Sequence, residues 1–215
     1  MQIKKINVPV CRAEEIPLLF QNNNVSYYVL ECVNWSDSYP YKPSVEVALA
    51  HNGKNLFIHY KVSEQSVRAV ALNDQDSVWE DSCVEFFSQP NADDGIYYNV
   101  ECNCTGKLLL AAGAGRGERH PAPKVVTDAI SRWASLGTAP FEERKEPTDW
   151  ELALVLPTDV FFKHNIKSFS GMTIRANIYK CGDKLTVPHF LSLYPISTDK
   201  PDFHRPEFFN ELNLE

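Results

Sequence analysis

The sequence predicts an all-β protein, an antiparallel β-sandwich with one or two short helices. Three observations support this fold class. Many short segments alternate apolar and polar residues, turn-forming residues separate them, and helical periodicity is almost absent. We expect a single domain over residues 1–215, because no linker-like stretch divides the chain.

The first clear element along the chain is a hairpin. Residues 1–43 are rich in proline and aromatic residues and give at most one or two edge strands. Residues 45–50 then alternate, Asn52 and Gly53 predict a type I′ turn, and residues 56–62 form the returning strand.

The later elements are mostly strands. Pro157 favours the start of a short helix over 157–162, and a second short helix is expected over 206–209. Further strands are predicted at about 68–72, 82–88, 96–104, 107–112, 150–156, 172–180, 189–194 and 211–214.

Two of these strands carry polar residues in their middle. Glu85, Glu101 and Asn103 share strand faces with a period of two, close to Trp79. Carboxylates are costly to bury without partners, so this placement indicates a surface that is used. Hydrogen-bonding groups beside an aromatic plane suit a sugar. If residue 85 pairs with residue 99, the two glutamates are diagonal neighbours about 7–8 Å apart at Cα.

The glutamate pair leaves two other interpretations open. A glycosidase needs two carboxyl groups about 5–5.5 Å or 6.5–9.5 Å apart, and the expected spacing of Glu85 and Glu101 does not exclude this. The two carboxylates could also be structural, paired with Arg175 or Lys180 on a solvated face of the sheet. We favour binding over both.

A glycine-rich loop at 113–123 carries two arginines. No helix and no Lys-Ser/Thr pair follow its glycines, which argues against a phosphate-binding loop. Arg116 and Arg119 are instead expected to close over a ligand or to neutralise an acidic sugar.

Composition limits the partners of the protein. The net charge is −7 and no basic cluster occurs, which argues against nucleic acid and against an anionic membrane surface. Six cysteines without a Cys-x-x-Cys pair are expected to be buried free thiols, and no metal ligands are assigned. Acidic residues at 74–81 hint at calcium, but their spacing is not that of an EF-hand.

The N-terminus does not fix the compartment. No signal peptide is recognised in this sequence, so an extracytoplasmic location would require that one had been removed. The oligomeric state cannot be predicted from these patterns.

The chain resembles the family 9 carbohydrate-binding modules over about residues 44–215. The resemblance is carried by Trp79-Glu-Asp-Ser-Cys-Val-Glu85-Phe-Phe, by the segment 97–106 and by the segment 201–212, in matching order. It implies an immunoglobulin-like β-sandwich that binds a terminal or small sugar between two aromatic rings. Residues 1–43 are not aligned.

The resemblance also implies roles for individual residues. The two ring positions fall on Trp79 and Phe203, the family's buried glutamate on Glu85 and its sheet asparagine on Asn103. Glu101 stands at a family arginine position, which exchanges hydrogen-bond donors for acceptors. Family members can carry structural calcium, but no matching ligand set is found here.

We therefore predict a non-catalytic protein that binds a mono- or oligosaccharide and needs no cofactor. A small glycosidase using Glu85 and Glu101 is the first alternative. A cofactor-binding or protein-interaction sandwich is the second. Resemblance to the wider fold implies that related sandwiches can carry haem between a methionine and a histidine, but Met1 and Met172 show no obvious histidine partner.

Overall fold

The computed structural model describes residues 1–9 and 12–215 and is built almost entirely of strands. Two short helices are present, α1 (Ile16–Asn22) and α2 (Lys124–Asp128). The strands are β1 (Gln2–Lys5), β2 (Tyr28–Val29), β3 (Ser44–His51), β4 (Asn55–Glu64), β5 (Val67–Ala69), β6 (Cys83–Gln89), β7 (Tyr97–Asn103), β8 (Leu108–Gly113), β9 (His120–Pro121), β10 (Ser131–Ala134), β11 (Phe141–Arg144), β12 (Thr148–Pro157), β13 (Thr173–Cys181), β14 (Phe190–Ser192) and β15 (Asn210–Leu214).

The strands form the two layers of a sandwich. The site sheet has the order β15-β13-β6-β7-β8-β9, and the back sheet has the order β3-β4-β12-β10. Their strands are antiparallel to one another. Strand β1 joins the sheets, because its first half pairs in parallel with β15 and its second half pairs in parallel with β3.

The core lies between the two sheets. Val84 and Phe86 of β6 and Val100 of β7 pack against apolar residues of β4 and β12, such as Ile58 and Leu152. The intervening residues of β6 and β7 project from the other face of the site sheet. They are buried as well, because loop segments cover that face with a second apolar cluster. A buried outer face therefore exists on which a site can form.

The predicted fold class is confirmed, and so are the strands from residue 44 onward that the sequence indicated. Short 3₁₀ turns at Thr158–Val160 and Pro206–Phe208 occupy the two predicted helix positions. The two α-helices and strands β9, β10 and β11 were not predicted. Helix α1 packs Ile16 and Phe20 on the outer face of the back sheet.

The pairing of β6 with β7 corrects the expected register. Glu85 lies directly opposite Glu101, and Phe87 lies opposite Asn99. A shift of two residues keeps every side chain on its face, so apolar alternation alone could not distinguish the two registers. The connection decides it, with a 3₁₀ turn at Ala92–Asp94 that ends on Gly95 at φ 72°.

The hairpin turn between β3 and β4 also differs from the expectation. A type I′ turn needs positive φ at both central residues, and only Gly53 has it, at 89°. The Asn52 side chain instead accepts hydrogen bonds from the backbone N–H groups of Lys54 and Asn55, at 3.0 and 2.7 Å. Asparagine here stabilises the loop through its side chain.

No helix among the described residues has the length and apolar character needed to cross a membrane.

Candidate functional site

A pocket opens on the outer face of the site sheet, above β6, β7 and β13. Its volume is about 520 Å³, including space open to solvent. Six of the seven residues proposed from the sequence line it. The lining residues are Trp79, Glu85, Glu101, Arg116, Arg119, Cys181, Asp183, Phe190, Pro201, Asp202, Phe203 and His204.

Two facing glutamates form the floor of the pocket. Glu85 and Glu101 are each only 3% exposed. The Cys181 thiol donates to Glu85 Oε1 at 3.0 Å, and Asn99 Nδ2 donates to Glu101 Oε1 at 2.9 Å. Arg119 Nη1 lies 3.8 Å from Glu101 Oε1. The floor is thus acidic, with one arginine approaching from the side of Glu101.

Burial raises the pKa of both floor glutamates. For Glu85 the nearby charge of Glu101 raises the pKa further. For Glu101 the hydrogen bond from Asn99 and the charge of Arg119 oppose the effect of burial. Asp183 follows the same trend, because burial and the charge of Glu80 raise its pKa to about 6. Two such close carboxyl groups resist simultaneous ionisation, so the floor holds a proton more readily than exposed glutamates do.

Aromatic side chains form part of the walls. Trp79 lies in a 3₁₀ turn, Val78–Glu80, immediately before β6, and is half-buried. Phe203 is 8% exposed and stacks on Tyr179, with ring centroids 4.2 Å apart and planes 4° apart. Tyr179 of β13 pairs with Glu85 of the neighbouring strand β6. One face of Phe203 is therefore covered, and only its other face can meet a ligand.

The loop between β8 and β9 places both arginines at the pocket. A Cβ atom at Gly113 would lie 2.3 Å from the Glu118 carbonyl oxygen and 2.7 Å from Arg119 Cα, so this close approach requires glycine. Arg119 Nε donates to the Arg116 carbonyl at 3.2 Å. Arg119 is mostly buried, whereas Arg116 is exposed at the rim.

Asn103 is the one proposed residue that does not line the pocket. It is fully buried, and its Nδ2 donates to Asp81 Oδ2 at 2.9 Å. Its Oδ1 accepts from the Thr105 and Lys107 backbone N–H groups and from the Thr105 hydroxyl. These bonds stabilise the turn after β7, so the structure places Asn103 in support of the site, away from direct contact with a ligand.

Several lining residues were not anticipated from the sequence. Cys181 lies opposite Cys83 in the pairing of β13 with β6, which the sequence pattern does not disclose. Asp202 and His204 flank Phe203, and this proximity in sequence was a usable signal. His204 Nδ1 lies 3.1 Å from the Tyr97 hydroxyl, and burial together with the charges of Arg119 and Arg116 lowers its pKa to about 3.

One group of side chains has the composition of a metal site. Ligand atoms of Cys83, Glu85 and Cys181 all lie within 4.8 Å of one another. Burial raises the pKa of the Cys83 thiol to about 12 and that of Cys181 well above its ordinary value. The Cys181 thiol is engaged as a donor to Glu85. These three side chains therefore form a buried cluster beneath the pocket, in which Cys181 is hydrogen-bonded to Glu85.

Carboxylates of the acidic segment at 74–81 are hydrogen-bonded within the protein. Asp74 Oδ1 accepts from Arg132 at 2.7 Å and from the Leu108 N–H at 3.0 Å. Asp76 Oδ2 accepts from two backbone N–H groups, and Asp81 accepts from two more. These bonds stabilise the loop before β6.

Comparison with known proteins finds similarity to carbohydrate-binding proteins. The family model for carbohydrate-binding family 9 matches residues 14–214. The chain is 47% identical to a crystallised protein from Bacteroides uniformis ATCC 8492, provisionally described as carbohydrate-binding, with a TM-score of 0.97 over 100% of this chain and 98% of that one. A search of curated proteins found no match.

Two more distant structures share the fold. Both are of a family 9 carbohydrate-binding module from Caldicellulosiruptor kristjanssonii, and each covers all of this chain at 11% identity. The complex with glucose has a TM-score of 0.58 over 95% of that chain, and the complex with cellotriose has 0.54 over 94%.

Proposed function

This chain belongs to carbohydrate-binding family 9, and from that premise we propose that it binds a terminal sugar in the described pocket without catalysing a reaction. The observation that carries the proposal is a pair of buried carboxyl groups on the floor of a pocket with aromatic walls. The glucose and cellotriose held by the Caldicellulosiruptor modules support a mono- or oligosaccharide as ligand.

The aromatic residues contact the apolar faces of the sugar, and the charged residues bind its hydroxyl groups. Trp79 and the uncovered face of Phe203 offer apolar planes to the C–H faces of a pyranose ring. Glu85 and Glu101 accept hydrogen bonds from its hydroxyl groups, while Arg119 and Arg116 donate from the side and the rim. Hydroxyls leave water to make these bonds, so each contributes little, and we expect a Kd of roughly micromolar to millimolar.

Calorimetric titration with a panel of mono- and disaccharides tests the proposal. We expect saturable binding by the wild type and none by Trp79→Ala, because this change removes one of the two aromatic planes. Trp133→Ala is the matched control, since Trp133 is also partly buried but packs on the back sheet. Equal loss of binding in both variants, or no loss in Trp79→Ala, would contradict the assignment.

A methyl cap at the reducing end separates two ways of binding. If the pocket holds the reducing end of the sugar, methyl glycosides bind much more weakly than free sugars. If affinity is unchanged by the cap, the pocket recognises another part of the ring. Under either outcome the pocket is the binding site. The outcomes differ in which part of the sugar the pocket holds.

A glycosidase remains the second candidate because Glu85 and Glu101 face each other directly. Opposed strand residues have Cβ atoms about 4.5–5.5 Å apart, which is compatible with a close carboxyl pair. Aryl glycoside hydrolysis that disappears in both Glu85→Gln and Glu101→Gln would favour the enzyme over the binding protein.

A further inference from the structure

Each glutamate on the pocket floor has one carboxyl oxygen without a protein donor. Within the described residues, the hydrogen bonds and the ion pair of Glu85 and Glu101 all use Oε1. Both side chains are only 3% exposed, and both line the pocket. A buried carboxyl oxygen without a donor is costly. Neither Oε2 is among the fully buried unpartnered atoms of the described residues, so both oxygens reach the pocket, where a ligand can donate to them.

The charges around the pocket point to the kind of donor required. Four acidic side chains line it, at positions 85, 101, 183 and 202, against two arginines. Arg116 is exposed at the rim, and Arg119 lies near Glu101 Oε1 while its Nε is bonded within its own loop. His204 is held neutral. Among the described residues, the charge of Arg119 lowers the pKa of Glu85 only slightly against burial and the charge of Glu101, so the carboxyl group of Glu85 has no close ion-pair partner.

We propose that the ligand of this pocket is an amino sugar whose ammonium group lies between Glu85 and Glu101. The proposal rests on the proposed function and specifies its ligand class. An ammonium group brings three donors and one positive charge, which matches two facing carboxylates that each have a free oxygen. Charge-assisted hydrogen bonds of this kind are roughly twice as strong as neutral ones.

Other sugar classes fit the floor less well. A neutral sugar supplies hydroxyl donors but brings no positive charge to the acidic floor. A uronic acid would add a third carboxylate to this acidic site, although the rim arginines could partly offset it. An N-acetylated amine has lost the positive charge and retains a single N–H donor. The free amine alone meets both requirements.

Calorimetry at neutral pH with five sugars provides the test. The probes are glucose, its 2-amino and 6-amino derivatives, N-acetylglucosamine and glucuronic acid. We expect at least one free amine to bind about tenfold or more tightly than glucose, the gain from roughly one additional charge-assisted contact. Glucose and N-acetylglucosamine should bind similarly, and glucuronic acid most weakly.

Two conservative variants separate charge from shape. Glu85→Gln and Glu101→Gln each remove a negative charge but keep a carbonyl acceptor, so the amine should lose more affinity than glucose does and the preference for the amine should vanish. Glu118→Gln is the control, because Glu118 is exposed on the arginine loop outside the pocket lining. A preference that survives both floor variants would overturn the proposal.

The pH dependence gives an independent readout. The preference should weaken in acid, where the floor carboxyls are protonated, and again in alkali, where the amine loses its proton. If neither amine binds more tightly than glucose, or if glucuronic acid binds best, the ammonium site is wrong and carbohydrate binding stands. If no sugar binds at all, both this inference and the proposed function fail.

Discussion

Glu85 and Glu101 show how the position of a residue in the fold sets its chemistry. Both lie mid-strand on the outer face of the site sheet, where overlying loops remove them from water. A carboxyl group whose folded pKa is raised binds more protons in the native state than in the unfolded state. Stability is then highest below the unfolded pKa of about 4.3 and falls as the pH rises toward the folded value.

This linkage gives a prediction for Glu85→Gln. The variant keeps the acceptor for the Cys181 thiol but cannot ionise, so it should be more stable than the wild type near neutral pH. At about pH 4, where the unfolded glutamate is largely protonated, the difference should nearly disappear. Urea unfolding at both pH values measures this, and a variant less stable than the wild type at neutral pH would contradict it.

The two aromatic wall residues should differ in their contributions to stability. Phe203 is buried against Tyr179, Phe190 and Trp35. Trp79 is half-buried at the pocket edge. Phe203→Ala should therefore lower the free energy of unfolding by about 3 kcal/mol, the scale for truncating a buried phenylalanine, and Trp79→Ala by much less.

Denaturant midpoints of the two variants check this contrast, with binding measured alongside. Equal losses of stability would mean that Trp79 belongs to the core and would remove it from the site. Phe203→Leu serves as a milder control, because it retains apolar volume above Tyr179 while losing the flat ring that a sugar would meet.

At the residue scale the sequence predicted six of the residues that line the pocket, and the reason is physical. Glu85 and Glu101 stood out because charged residues in the middle of apolar strands are unusual, and Trp79 stood out beside them. The sequence does not show whether the hydrogen-bonding groups of a side chain are already paired within the protein. Asn103 shared their alternation, yet its amide is engaged by Asp81 and Thr105.

Among the elements, the arginine loop depends on one glycine. Any side chain at Gly113 would collide with the backbone of Glu118 and Arg119. Gly113→Ala should therefore displace the loop and weaken sugar binding severalfold, with a smaller effect on the stability of the sandwich. Gly115→Ala is the matched control, because a Cβ there meets nothing within 4 Å. Identical affinities for the two variants would contradict a role for the loop in binding.

Element prediction succeeded where one face of a strand is apolar, from β3 to β15 with few omissions. It failed for α1, which is too short for a clear helical period and is stabilised by packing against Ala48 and Phe57. The register of β6 and β7 could not be derived either, because a shift of two residues preserves both faces. Loop geometry determines this register, and tertiary packing stabilises the short helix α1.

At the scale of the whole molecule, a buried ionic cluster connects the two sheets. Lys180 Nζ of β13 lies 2.9 Å from Glu64 Oε2 of β4, and Trp150 of β12 donates to Glu64 Oε1 at 2.7 Å. Lys180 also donates to His189 Nε2 at 2.7 Å. Burial and the charge of Lys180 lower the pKa of His189, which keeps it neutral as an acceptor.

Breaking this cluster should destabilise the sandwich strongly. Glu64→Gln leaves the Lys180 charge buried without a counter-charge, and Lys180→Met does the same to Glu64, each at a cost of about 3–5 kcal/mol. The double variant should recover a large part of that loss, because neither charge then remains. Additive losses in a double-mutant cycle would show that the two groups are not coupled.

The shared core and the bridging strand lead to the last prediction, that residues 1–215 unfold as one cooperative unit. Strand β1 pairs with both sheets, and one apolar cluster draws on both. Neither sheet can lose its partner without exposing that cluster. Far-ultraviolet circular dichroism and tryptophan fluorescence should therefore report the same urea transition, and a saturating sugar should shift both midpoints together by mass action. Two separated transitions, or a sugar-induced shift of only one midpoint, would contradict cooperative unfolding of the whole chain.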